Sequence, residues 1–383
     1  MGPAAVPPRA VPSPDGPGHA HRLRAAEETA RSLAVDAAAR ERDGRAPLRE
    51  VSALREAGLL TLPLPAGPQD GAAGWATAYA VVREIAAADG PVGQLLARHC
   101  FLSWSAGHLA GPGAARRTAE RSASERWCWG GGYAPQEPPL LLARTSGGLV
   151  LDGRQSFSTG VLVADRLAVR AVREDTGEPL AVVVDPGHRG VTVAGDALGR
   201  RLAGGGSVEC CDVPVAANDV LGSLSTHEDR LSPRAALLSP VGQLLSVQVL
   251  LGTADRLLTS GSGSSPHGLG ASAAYGEPAA LARSAAALAD RAVDAVRAAL
   301  DLGDGIGRDG YERTAALVTA AGAAASRAAR ETAVRALGVA GARAASARLG
   351  LDGDWRETRA HTWYEPFGDP LADGARPPFA LPA

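Results

Sequence analysis

Two histidines and a glutamate carry the side chains best suited to proton chemistry: His99, within GQLLARHCFLSW, and His361 and Glu365, within RAHTWYEP. An imidazole titrates near neutral pH, so either histidine could donate a hydrogen bond to a reacting oxygen and relay its proton. Each could equally bond a backbone carbonyl from a helix or sit in an interface. Glu365 follows Tyr364, and a carboxylate in an apolar pocket can be raised into the range of a general base. Exposed ahead of Pro366, it would be an ordinary surface acid. A further candidate is Phe157-Ser158-Thr159-Gly160, where a strand could present hydroxyls and backbone N–H groups to a ligand, or simply alternate faces at a surface.

What the sequence lacks is equally informative. All 39 basic residues are arginine, so P-loop lysine chemistry and Schiff-base catalysis are excluded. Cys100, Cys128, Cys210 and Cys211 form no CxxC pair, and neither HExxH nor GxSxG occurs, so no metal site is expected. This cysteine usage fits a reducing compartment and a cytoplasmic protein. A net charge of −2 without a basic run argues against nucleic-acid binding, and no apolar run approaches the length of a membrane span.

The 383 residues exceed what one core usually organises. Residues 1–20 read as a disordered Pro-rich leader and 21–125 as a helical domain. Within it, one helix is expected over Arg22–Arg42, a short one near Leu48–Gly58, a third over Trp75–Ala88, and a fourth after the Asp89-Gly90-Pro91 breaker. Residues 126–222 read as a β domain, an antiparallel barrel or sandwich, with Asp152-Gly153 as a hairpin turn between Leu149–Leu151 and Gln155–Thr159. Residues 232–366 return to helical period and 367–383 form a tail. Leu244, Val247, Leu251, Ala254 and Leu258 mark one helix, ended by a Gly/Ser loop over Ser260–Ser265. Leu281, Ala285, Leu288, Ala292, Val296 and Ala299 mark a second, and Tyr311–Leu349 a third. The fold class expected is mainly α within α+β: helical domain, β domain, C-terminal four-helix bundle.

That order resembles the acyl-CoA dehydrogenase superfamily, and local text carries the resemblance. LDGRQSFSTGVLVADRLAV is similar to the superfamily's β segment beside the flavin ring, and GVAGARAASARLGLDGDWRETRAHTWYEP resembles the ending of its dibenzothiophene-monooxygenase branch. The resemblance implies a flavin-dependent oxidoreductase, foremost a two-component monooxygenase that takes reduced FMN or FAD from a separate reductase and oxygenates a small molecule. It places Phe157, Ser158, Thr159, Ser207, Arg335, Gly338 and Gly341 at the flavin, and His99 and His361 at its reactive edge. It also implies a homo-oligomer, a tetramer by preference, in which Gly338 and Gly341 approach a neighbour's cofactor. Two other outcomes stay open: an acyl-CoA dehydrogenase with Glu365 as base, and a binding scaffold that has lost catalysis. Departures from the family pattern are Ala203-Gly204-Gly205-Gly206-Ser207 in place of a hydroxyl-bearing run, Arg335 in place of glutamine, and Tyr364 in place of a histidine.

Overall fold

The computed structural model describes residues 17–64, 73–195, 203–225, 236–263 and 274–340. Its first section is helical: α1 (Pro17–Ala34), α2 (Ala37–Asp43), α3 (Leu48–Glu56), α4 (Ala73–Ala88), α5 (Gly90–Leu109) and α6 (Pro112–Ser124). The helix expected over Arg22–Arg42 is thus two, and α1 starts inside the expected leader at Pro17, whose fixed φ suits a first turn. Arg40 closes the break. Its guanidinium pairs with Asp36, donates to Leu33 O at 2.6 Å, and pairs with Glu50 at 3.1 Å and Asp89 at 2.6 Å. Asp89 also shows why the Asp89-Gly90-Pro91 breaker works as a helix start. Its Oδ1 accepts from Val92 N at 3.0 Å, with Pro91 in the first turn of α5.

The middle section contains β1 (Trp129–Gly132), β2 (Leu140–Thr145), β3 (Gly148–Thr159), β4 (Arg166–Arg173), β5 (Pro179–Val184), β6 (Val191–Ala194), β7 (Gly204–Val215) and β8 (Val220–Ser223). They form one sheet in the order β6-β7-β3-β2-β4-β5-β8, with β1 added on β4. The sheet is not the antiparallel barrel or sandwich expected. β1 and β2 both run parallel to β4, and among the described residues the end strands β6 and β8 do not pair, so it is mixed and open. One face buries Leu142, Leu151, Phe157, Leu167, Val169 and Val208 in a core of its own. The other carries Trp129, Ala168 and Ala181 into the main core with Cys100 and Phe101 of α5.

The expected hairpin at Asp152-Gly153 is a bulge inside the continuous strand β3. The strand's register against β7 slips between Leu151 and Gly153, Gly153 takes φ +123°, and Asp152 Oδ1 accepts from Asp212 N at 2.8 Å. An Asp-Gly pair serves a bulge as well as a turn, because both need backbone that glycine adopts cheaply. The actual hairpin joins β2 to β3, pairing Thr145 with Gly148.

Among the described residues three long helices follow: α7 (Leu238–Gly263), α8 (Gly276–Leu302) and α9 (Gly307–Ala340). α7 continues through Ser260 and Gly261, where a loop was expected. Ala282, Ala285, Ala289, Ala292, Val296 and Ala299 form the buried stripe of α8, so small residues let the helices approach closely. Leu281 and Leu288, expected on that stripe, flank it. A fourth bundle helix would lie outside the described residues. α7 packs on α4, where Tyr79 OH donates to Val241 O at 3.3 Å and Arg83 pairs with Asp255 at 2.8 Å.

Candidate functional site

The site begins where α5 meets the root of β1. His99 has no exposed surface. Its Nδ1 accepts from Trp129 N at 3.1 Å, which leaves Nε2 to donate to Leu60 O at 2.8 Å. Burial pushes its pKa down to about 4, partly opposed by the Leu60 hydrogen bond and the Asp165 charge, so the ring is neutral at physiological pH. One residue earlier, Asp165 Oδ2 accepts from Cys128 N at 2.7 Å and from Arg55 Nη2 at 2.6 Å. Consecutive N–H groups at the start of β1 are therefore held by two different side chains. The Cys128 thiol, pushed up to about 12 by burial, stays protonated.

Beyond this seam the sheet opens. β1 pairs with β4 up to Gly132↔Val169, and β2 takes over at Leu140↔Ala171. Residues 133–139 therefore arch out opposite the single residue Arg170. The arch is tied at both ends. Tyr133 OH lies 3.0 Å from Ser105 Oγ, with its ring 6.1 Å from that of Phe101. Gln136 Oε1 accepts from Ser156 N at 3.0 Å, on the edge of β3 away from β7. Strand alternation turns Ser158 N–H to that same edge. The Ser158 side chain is exposed and points to the face opposite Phe157. The end of β3 is fixed against β1, where a Cβ on Gly130 would come within 2.7 Å of Gly160 O.

The residues singled out from sequence are placed unequally. Thr159 is buried beside Phe157, and its hydroxyl lies 3.4 Å from Ser158 Oγ. Ser207 lies opposite Ser156 on β7 and accepts from Arg154 Nη2 at 3.2 Å. The glycine run before it has a packing reason: a Cβ on Gly205 would sit 2.5 Å from Ser158 O, and one on Gly206 2.4 Å from Ala194 O. Arg335 and Gly338 lie exposed on α9, with Arg335 in electrostatic reach of Tyr275. Gly341, His361 and Glu365 lie outside the described residues. Sequence reasoning did not single out Tyr133 and Gln136, whose only signal is a proline-rich loop between two strands, nor Arg170, which lies within β4. Among the described residues no cluster of metal-ligating side chains forms, and no helix is long and apolar enough to cross a membrane.

An exposed strand edge with N–H and hydroxyl donors, beside an arch anchored to an aromatic-rich helix, can hold the polar rim of a flat heterocycle. The architecture is like that of acyl-CoA dehydrogenases. Butyryl-CoA dehydrogenase from Megasphaera elsdenii superposes with a TM-score of 0.74 over 91% of this chain and 94% of its own, at 17% identity, a likeness of fold alone. At higher identity the chain is similar to flavin-dependent monooxygenases. Dibenzothiophene monooxygenase from Rhodococcus erythropolis is 29% identical over 379 residues, covering 91% of this chain and 90% of its own. A "Probable FMNH2-dependent monooxygenase" of Pseudomonas putida is 28% identical over 368 residues, covering 90% and 91%. The FMN-bound dibenzothiophene monooxygenase of Paenibacillus sp. A11-2 superposes with a TM-score of 0.78 at 28% identity, over 89% of this chain and 92% of its own. No protein-family profile matches the chain.

Proposed function

We propose that this protein is the oxygenase component of a two-component flavin-dependent monooxygenase, using FMN delivered in reduced form by a separate reductase to oxygenate a small organic molecule. The observation that carries the reading is similarity along nine-tenths of the chain to enzymes named for that chemistry. The residues present fit the flavin. Ser158 offers a hydroxyl and a backbone N–H on the open edge of β3, and the arch supplies a wall beside it. Reduced flavin, when bound, supplies the electrons that activate oxygen.

The chain's own groups do the rest. Ser158 orients the polar rim of the ring, and Thr159 stiffens the strand from its buried side. Arg335 supplies a cation for the flavin phosphate. Ser207 supports β7, while Gly338 lets α9 approach the cofactor of a second copy in a homotetramer; Gly341, assigned the same role by the resemblance, lies outside the described residues. His361 holds or donates the proton at the reacting oxygen. His99 positions β1, because both its nitrogens are engaged by backbone. A cytoplasmic location agrees with four free thiols.

Anaerobic mixing separates this from the dehydrogenase alternative. Acyl-CoA thioesters are expected to leave the flavin-loaded protein oxidised, whereas oxygen admitted to the protein loaded with reduced FMN is expected to reoxidise it. Rapid anaerobic bleaching by an acyl thioester would replace the reading with dehydrogenation and make Glu365 the base.

A further inference from the structure

We propose that Arg170 receives an anionic substituent of the substrate, a carboxylate or a sulfur oxyanion, beside the open edge of β3; this rests on the flavin-monooxygenase reading of that site. Arg170 is the residue opposite the arch, at the one point where the ladder beside β4 passes from β1 to β2. Extending the β1–β4 register by one residue sets it next to Tyr133, on the helix-facing side of the sheet with Ala168. Alternation along β3 turns Ser158 to the face opposite Phe157, which is also the helix-facing side.

Among the described residues nothing pairs directly with the charge of Arg170. Its cross-strand neighbour on β5 is Ala181, and the next residue in that row, on β8, is Gly222, so only small groups stand along that line. Its Nε is buried without a hydrogen-bond partner, and among the described residues no ion pair engages the guanidinium. Glu137, on the arch itself, is the carboxylate that acts on it electrostatically, and burial pulls its pKa down. A cation half removed from water with an unmet donor binds an oxyanion more strongly than an exposed one would, because desolvation has already been spent. The planar fork of the guanidinium matches the two oxygens of a carboxylate or sulfinate.

The test titrates the FMN-loaded protein with two matched pairs, benzoate against benzamide and benzenesulfinate against methyl phenyl sulfone. Wild type should prefer the anion of at least one pair by about tenfold or more, the scale of one charge-assisted hydrogen-bonded contact. Arg170→Met should reduce that preference to under about twofold with an unchanged melting curve, and Arg170→Lys should retain several-fold. FMN affinity, measured without the anions, should change by less than about twofold in both variants. No preference in wild type, a preference that survives in Arg170→Met, or a tenfold loss of FMN affinity there, which would assign the cation to the flavin phosphate, would each overturn the proposal. Failure of the flavin reading itself shows separately, as wild type that binds FMN in neither redox state.

Discussion

The seam at the root of β1 and the arch three residues further on use similar side chains to opposite ends. At the seam the donors and acceptors meet one another: His99 meets Leu60 and Trp129, Asp165 meets Cys128 N and Arg55, and the Trp129 indole meets Ser122 Oγ at 2.8 Å. At the arch the donors are left over. Ser158 is exposed at an open edge, and Arg170 carries a buried Nε with nothing to accept from it. Buried polar groups are normally satisfied, so an unmet buried donor beside an open strand edge is a place that a ligand could complete. A residue type alone says little. His99, singled out by its imidazole and by the family resemblance, has both ring nitrogens engaged by backbone.

The strongest way to break this contrast is His99→Ala. Removing the ring strands Leu60 O and Trp129 N and leaves a cavity, so stability should fall by about 3–5 kcal/mol in chemical denaturation. If the variant stayed as stable as wild type while losing turnover, the seam would be a reaction site instead. Next in size is the pH dependence. The unfolded imidazole titrates near 6.5 and the folded one near 4, so the unfolded chain binds the extra proton between those values. The stability contributed by neutral His99 is complete above the unfolded pKa and lost as pH falls from about 6.5 towards 4, by up to about 3 kcal/mol. Denaturation across that window should show this slope in wild type and a smaller one in His99→Gln. Gly205→Ala should cost about 1–3 kcal/mol, because its Cβ would meet the backbone oxygen of Ser158 at 2.5 Å. A melting temperature unchanged from wild type would show that the β3–β7 contact yields freely. Smallest is Ser158→Ala, expected to weaken FMN binding by about 1 kcal/mol in a fluorescence titration while leaving the melting curve alone.

Much of the fold was legible because helices and strands announce themselves over many residues. The Ala-rich stripe of α8 and the long helix α9 lie close to where periodicity placed them. Pairing was not legible. The parallel contact of β1 with β4 spans four residues, three of them glycine, and such a short ladder has no hydrophobic signature. Asp152-Gly153 misled because one dipeptide satisfies two backbone geometries, and only the neighbouring strand decides between them. The site was half legible. Phe157-Ser158-Thr159 falls on the strand where it was expected, but which hydroxyl faces outward depends on the bulge upstream. Arg170 was invisible, since its significance comes from the arch opposite it.

Flavin is proposed to bind along the open edge of β3, and anaerobic titration of wild type and Ser158→Trp with reduced FMN, followed by fluorescence, decides it. Ser158 is exposed, so an indole there should leave the fold intact while covering the edge. Wild type should saturate, and the variant should show no saturation at concentrations where wild type is full, with matching melting curves. Equal saturation of both proteins, or none by either, would contradict the account.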